Sequence, residues 1–286
     1  MTLNTKKTLR KIFRVFLYIF ATIGFIFTCV FIGMQLHLTD VKGSIDSRNS
    51  FFNQIKNEKI RTEIAKNEKY NWLSSSEWET LKDALIKDQG IILQVSNETG
   101  IPSRVIVSSI ISEQFRFFTS NRESFKKYFE PLKILGTYTQ FSYGISGIKM
   151  ETAKIIEKNL KDTQSPFYLG KEYENILDYK TIDNIDTDRL SRFTDSKDHY
   201  YSYLYTALYL KQIINQWKNA LYPIDNRPEV LATLFNIGFT KSIPKANPEV
   251  GGSVITINNI DYTFGGLAYQ FYYSGELSDV FPLSVQ

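Results

Sequence analysis

Residues Val15 to about Leu36 form one uninterrupted apolar run, and nothing else in the chain constrains its architecture as strongly. A helix needs roughly 20 apolar residues to cross the hydrocarbon core of a bilayer. Lys6, Lys7, Arg10, Lys11 and Arg14 all lie on or before its upstream edge. That asymmetry predicts a cytoplasmic N-terminus and an extracytoplasmic remainder. A cleaved signal peptide is the alternative reading. Its apolar region would span roughly 7–15 residues and end at a small-residue cleavage site. Here Gln35-Leu36-His37-Leu38 follows, and Cys29 lies inside the run behind Phe27 and Thr28, not in a lipoprotein context. The expectation is an uncleaved, single-pass anchor in the inner (cytoplasmic) membrane. It divides the chain into a cytoplasmic tail (1–14), an anchor (15–38), a juxtamembrane spacer (39–75) and a periplasmic domain (76–286).

About 250 residues lie beyond the anchor, enough for one large domain. The formal net charge is +4 and several of the positive charges belong to the tail, so the exported part is near neutral and nucleic acid is not an expected partner. Cys29 is the only cysteine. Disulfides, thiolate zinc sites and cysteine nucleophiles are therefore excluded from the domain. His37 and His199 are far apart, and no metal site or cofactor is expected.

Residues 40–70 are polar, with one glycine and no proline, and read as the spacer. Ser74-Ser75-Ser76-Glu77 offers capping serines and an acidic first turn for a helix running to Lys87. Gly100 suits a C-terminal cap, and Pro102-Ser103 opens a helix over 102–118. Residues 119–141 are irregular and aromatic, and 161–195 read as acidic loop. Helices are expected over 150–160, 200–218, 228–237 and 266–275, with a hairpin over 253–264 turning at Asn258-Asn259. The class is mainly α with a small β-hairpin. The tyrosines at 200, 201, 203, 205 and 209 read as packing surface, and His199 as a surface residue at a helix start.

On the 102–118 helix, Ser109, Ser112 and Arg116 form a narrow polar stripe. Glu113 falls at its border, beside Ile106, Ile110 and Phe117. Desolvation favours a carboxyl that keeps its proton, which is what a general acid requires. A solvated glutamate on an amphipathic helix is the plain alternative. Two further segments bear on that choice. Gly144, Ser146 and Gly147 lie just before a helix, where small residues let a ligand approach the backbone. Asn236 lies at the end of Leu231-Ala-Thr-Leu-Phe-Asn-Ile-Gly238, where its amide is placed to bind.

In this order, the three segments resemble the lysozyme-like lytic transglycosylases of bacterial cell walls. That family has a catalytic Glu ending a buried apolar helix, then a Ser-x-x-Gly-x-x-Gly-Leu-Met-Gln-like segment, then Ala-Tyr-Asn-Ala-Gly. Glu113, Gly147-Ile148-Lys149-Met150 and Leu234-Phe235-Asn236-Ile237-Gly238 are the matching positions. A late tyrosine corresponds to Tyr269 or to Tyr272. The likeness covers residues 98–275. It departs at Gln114 (Ser in the family), at Lys149 and at Met150, and the intervals from Glu113 to Gly147 and on to Asn236 are longer.

The resemblance implies a lysozyme-like domain that cleaves peptidoglycan between N-acetylmuramic acid and N-acetylglucosamine. Glu113 would be the single acid/base. Ser142, Gly144, Ser146, Gly147, Ile148, Phe235, Asn236 and Tyr269 would contact the glycan strand. A hydrolase would instead need two carboxylates, for which Glu123, Glu130 and Asp195 are the candidates. A non-catalytic lysozyme-like module that binds glycan or scaffolds an envelope assembly is the competing function, and a structural envelope protein is the third. Wall turnover and wall opening for a secretion or cell-surface machine fit the same reading.

Overall fold

A computed structural model describes residues 3–35, 43–119, 142–143, 145–180, 184–195 and 197–283. The chain divides into two units, Met1–Val41 and Lys42–Gln286. In the first, α1 (Leu3–Gln35) carries a 19-residue stretch, Lys11–Cys29, long and apolar enough to cross a membrane. Its large side chains, from Phe13 through Phe25, are exposed on all sides. An all-round apolar helix needs an apolar solvent.

The second unit is mainly helical, with short strands. It runs β1 (Ser44–Ile45), α2 (Asn49–Gln54), α3 (Glu58–Lys66), α4 (Ser76–Lys87), α5 (Gln89–Thr99) and α6 (Ser103–Thr119). Then come β2 (Ser142–Tyr143), β3 (Ile148–Lys149), α7 (Met150–Lys161), α8 (Ile185–Thr194), α9 (Tyr200–Asn219) and α10 (Pro228–Ile237). β4 (Gly251–Gly252), β5 (Val254–Ile257), β6 (Ile260–Thr263) and α11 (Phe264–Tyr273) complete it.

α6 is the central post. It packs against α4, α5, α9, α10, α11 and β5, and Ser103 through Glu113 are all buried. The expected polar stripe is therefore not solvated. Ser108 and Ser112 donate to carbonyls one turn back, at 2.7 and 3.3 Å, so small hydroxyls are buried without orphaned donors. Arg104, on the same helix, is fully buried. Its guanidinium donates to the carbonyls of Phe271, Tyr272, Glu276 and Phe281, a cationic cap on the C-terminal end of α11.

Several expected elements stand as read. Ser75 caps α4 by accepting from Trp78 N at 3.2 Å. Gly100 ends α5 in the left-handed conformation. The β5–β6 hairpin turns through Asn258 and Asn259 at φ 50 and 62, both left-handed as a type I′ turn demands.

The spacer reading of residues 39–75 is corrected. β1 pairs antiparallel with β4, Ser44 opposite Gly252. Phe52 and Trp72 lie in the core, with Trp72 4.9 Å from Trp78 and 6.1 Å from Phe115. Arg61 of α3 is buried against Glu229 of α10 in a two-pronged pair at 3.0 and 3.2 Å. The few anchors of this stretch are scattered among lysines and glutamates, and its buried arginine finds its partner 168 residues away. The acidic region 161–195 likewise contains α8, which the loop reading omits. Arg189 of α8 holds it to Glu157 of α7 at 2.6–2.7 Å.

Candidate functional site

Glu113 stands one and a half turns before the end of α6 and is 4% exposed. Gly147, in the turn between β2 and β3, lies against its carboxyl. A Cβ built on Gly147 would sit 1.9 Å from Glu113 Oε1 and 2.4 Å from Cδ, and the residue has φ +61. The backbone conformation favours glycine, and any side chain there would push the Glu113 carboxyl aside. The same turn is stitched to α6 a second time, because Gln114 Nε2 donates to the Ile145 carbonyl. The departure from the family's Ser at 114 thus has a structural use.

Arg116 completes the corner. Its Nε donates to Glu113 Oε2 at 2.9 Å and its Nη2 to Oε1. The i,i+3 spacing was legible in the sequence, yet the sequence argument placed Arg116 on a polar stripe and missed the pairing. Ser146, beside Gly147, is fully buried, and its hydroxyl has no hydrogen-bond partner among the described residues. A buried hydroxyl without a partner calls for an explanation. Here it adjoins the glycine that lies against the buried Glu113 carboxyl.

The other residues read from the sequence fall into three groups. Asn236 lies at the end of α10, half-buried. Its Oδ1 accepts from Ser253 N at 2.8 Å and Ser253 Oγ at 3.1 Å, and Gly252 (φ +98) closes on it so tightly that a Cβ would come within 2.8 Å. Half of the amide expected to bind ligand is thus spent on holding β4 and β5. Phe264 connects this corner to the first. Its carbonyl accepts from Ser112 Oγ at 3.0 Å, its ring stacks on Phe235 at 6.4 Å, and its Cβ lies 3.1 Å from the position of a Gly252 Cβ. Glu113 and Gly147 are in contact, and Asn236 is joined to them through packed neighbours.

The second group is corrected. Ile148 and Phe235 are core residues, Phe235 lying 5.2 Å from Tyr209. Tyr269 is 0% exposed. It is enclosed by Phe51, Phe52 and Tyr273, with the guanidiniums of Arg48 and Arg61 over its ring. Burial raises its phenol above the usual tyrosine range. Tyr272 packs on Tyr273 and gives its carbonyl to Arg104. Both candidates for the family's late tyrosine are thus core residues. Asp195 is exposed and accepts from Lys197 N and Asp198 N, which holds its carboxyl below the usual range. It caps a turn.

For the third group, Ser142 pairs with Lys149 through the β2–β3 ladder. Gly144, Glu123 and Glu130 lie outside the described residues.

Comparison of the chain with protein families, with curated proteins and with solved structures found no match.

Proposed function

We propose that the protein is a membrane-anchored glycan-cleaving enzyme of the lytic transglycosylase type, with α1 as anchor, a lysozyme-like second unit in the periplasm and Glu113 as its single acid/base. One observation carries the reading: a carboxyl buried near the end of a buried helix, with a glycine turn in the left-handed conformation lying against it. The three segments that resemble the family are the ones joined around α6.

In this reaction the Glu113 carboxyl gives its proton to the glycosidic oxygen as the bond to the muramoyl C1 breaks. The carboxylate then takes the proton of a muramoyl hydroxyl as that oxygen closes on C1. An anhydro ring forms, no water is consumed, and the carboxyl ends as it began. One carboxyl suffices, whereas hydrolysis by the common routes uses two. In this reading the turn of Ser146 and Gly147, which lies against the Glu113 carboxyl, is the part of the site that meets the sugar. A peptidoglycan zymogram of the full chain, followed by mass spectrometry of the released muropeptides, tests the reading. Anhydromuramoyl ends support it. Reducing-end muramic acid sinks the single-carboxyl mechanism.

The Arg116 pair favours a second reading, a non-catalytic glycan-binding or scaffold module. A guanidinium against a carboxyl favours the ionised form, and a general acid must hold a proton. The enzyme reading requires bound substrate to draw Arg116 aside. A chain that sediments with peptidoglycan, cleaves none of it, and binds equally well as Glu113→Gln would be such a module.

A further inference from the structure

Arg116 opposes the chemistry proposed for Glu113. Its guanidinium grips the carboxylate with two donors, Nε to Oε2 at 2.9 Å and Nη2 to Oε1. A guanidinium keeps its charge in proteins, so the pair favours an ionised Glu113. A general acid must carry a proton when the substrate arrives. Protonating Glu113 in place would leave Arg116 a charge without a counter-ion, with only 15% of its side chain in solvent. Taking away one partner is the costly way to break a buried ion pair. A second anion that receives the guanidinium as Glu113 becomes neutral removes that cost.

Among the described residues, Glu113 is the one carboxylate within ion-pair distance of Arg116. The rest of the guanidinium's five N–H donors meet no acceptor among them. The Gly147 turn is held in place, since Gln114 Nε2 donates to the Ile145 carbonyl. Arg116 is the member that can move. It shares a helix with Glu113 and keeps an edge in solvent, so rotating its own side chain is enough to change its partner.

The second anion must then come with the substrate. A muramoyl sugar carries a carboxyl on the lactyl ether at O3, on the same ring as the C1 whose bond breaks. While a stem peptide is attached, that carboxyl is a neutral amide. With the peptide removed it is a carboxylate, which a guanidinium fork meets at two points.

The geometry points to Arg116 as a specificity residue that exchanges the Glu113 carboxylate for the lactyl carboxylate of a muramoyl sugar stripped of its peptide. The inference rests on Glu113 being the acid and names the substrate of that same site. Charge balances through the exchange. The guanidinium keeps an anion, and Glu113, once released, takes up one proton from solvent. The preferred strand is thus the product of an amide-cleaving reaction that frees stem peptides from the glycan.

The test gives the full chain two substrates: glycan strands stripped of stem peptides by an amidase, and the same strands with their lactyl carboxyls converted to methylamides. The wild type should cleave the carboxylate strand with a kcat/KM at least roughly tenfold higher. Arg116→Gln, checked for folding by circular dichroism, should erase the difference. Arg116→Lys supplies a point charge without the fork and should restore part of it, which a merely structural role would not do. A wild type that cleaves both strands equally, or the methylamide faster, overturns the lactyl partner and leaves Glu113 as the acid. A preference that survives in folded Arg116→Gln overturns Arg116 as its source. A wild type that cleaves neither strand overturns the enzyme reading, and this inference with it.

Discussion

Glu113 and Glu229 are both buried carboxylates on helices, and both face arginine, yet their surroundings differ in kind. Glu229 has no exposed side-chain surface and takes both prongs of Arg61, itself fully buried, together with Arg227. Arg61 comes from another helix far away in sequence, and without Glu229 it would be a buried charge with no counter-ion shown. Glu113 takes its arginine from its own helix, three residues on, and that side chain keeps 15% of its surface in solvent. Against the same carboxyl lies the glycine turn at Gly147. Burial alone therefore does not mark a functional acid. What separates the two is whether the compensating charge is locked in the core or sits at an edge from which it can move.

The largest expected effect tests the first half of this comparison. Glu113→Gln keeps shape and removes the transferable proton, so turnover should fall by on the order of 10²–10⁴ with the thermal transition nearly unmoved. Retained activity would take Glu113 out of the mechanism. The mirror experiment is Glu229→Gln. Leaving Arg61 buried without its counter-charge typically costs about 3–5 kcal/mol, which for a unit of this size lowers Tm by roughly 6–20 °C. Activity per folded molecule should be unchanged. If Glu229→Gln were stable but inactive, the two corners would have exchanged roles.

Gly147→Ala sharpens the contrast from the turn side. A left-handed non-glycine residue costs about 1–2 kcal/mol, and the added methyl must displace the Glu113 carboxyl. A loss of a few degrees in Tm with at least a roughly tenfold fall in activity is expected, read by calorimetry and by the same product assay. A normal rate would mean that the turn does not position the acid.

The smallest effect concerns a half-buried carboxylate, Glu157. Burial pushes its pKa up, but hydrogen bonds from Arg189, Tyr179 and Tyr205 outweigh burial and leave it below the usual range. A depressed carboxyl stabilises the fold above its unfolded pKa, about 4.3, and that contribution is lost as pH falls through the folded value. Urea melts of wild type and Glu157→Gln should therefore differ most near neutrality and converge in acid. Parallel curves at every pH would remove Glu157 as the source.

The long apolar N-terminal helix, the α-rich class, the hairpin at Asn258-Asn259 and the helix carrying Glu113 were all legible in the sequence. Each depends on local physics: the length of an apolar run, caps, and the φ preferences of single residues. The candidate pair of Glu113 and Gly147 was legible as an order of segments, though not as a contact. The tertiary structure alone drew residues 44–74 into the core, enclosed Tyr269 with Phe51 and Phe52, and spent Asn236's oxygen on Ser253. Those outcomes depend on partners 17 to more than 200 residues apart. A buried charge or amide is settled by whichever group reaches it across the fold, and neither composition nor periodicity encodes that choice.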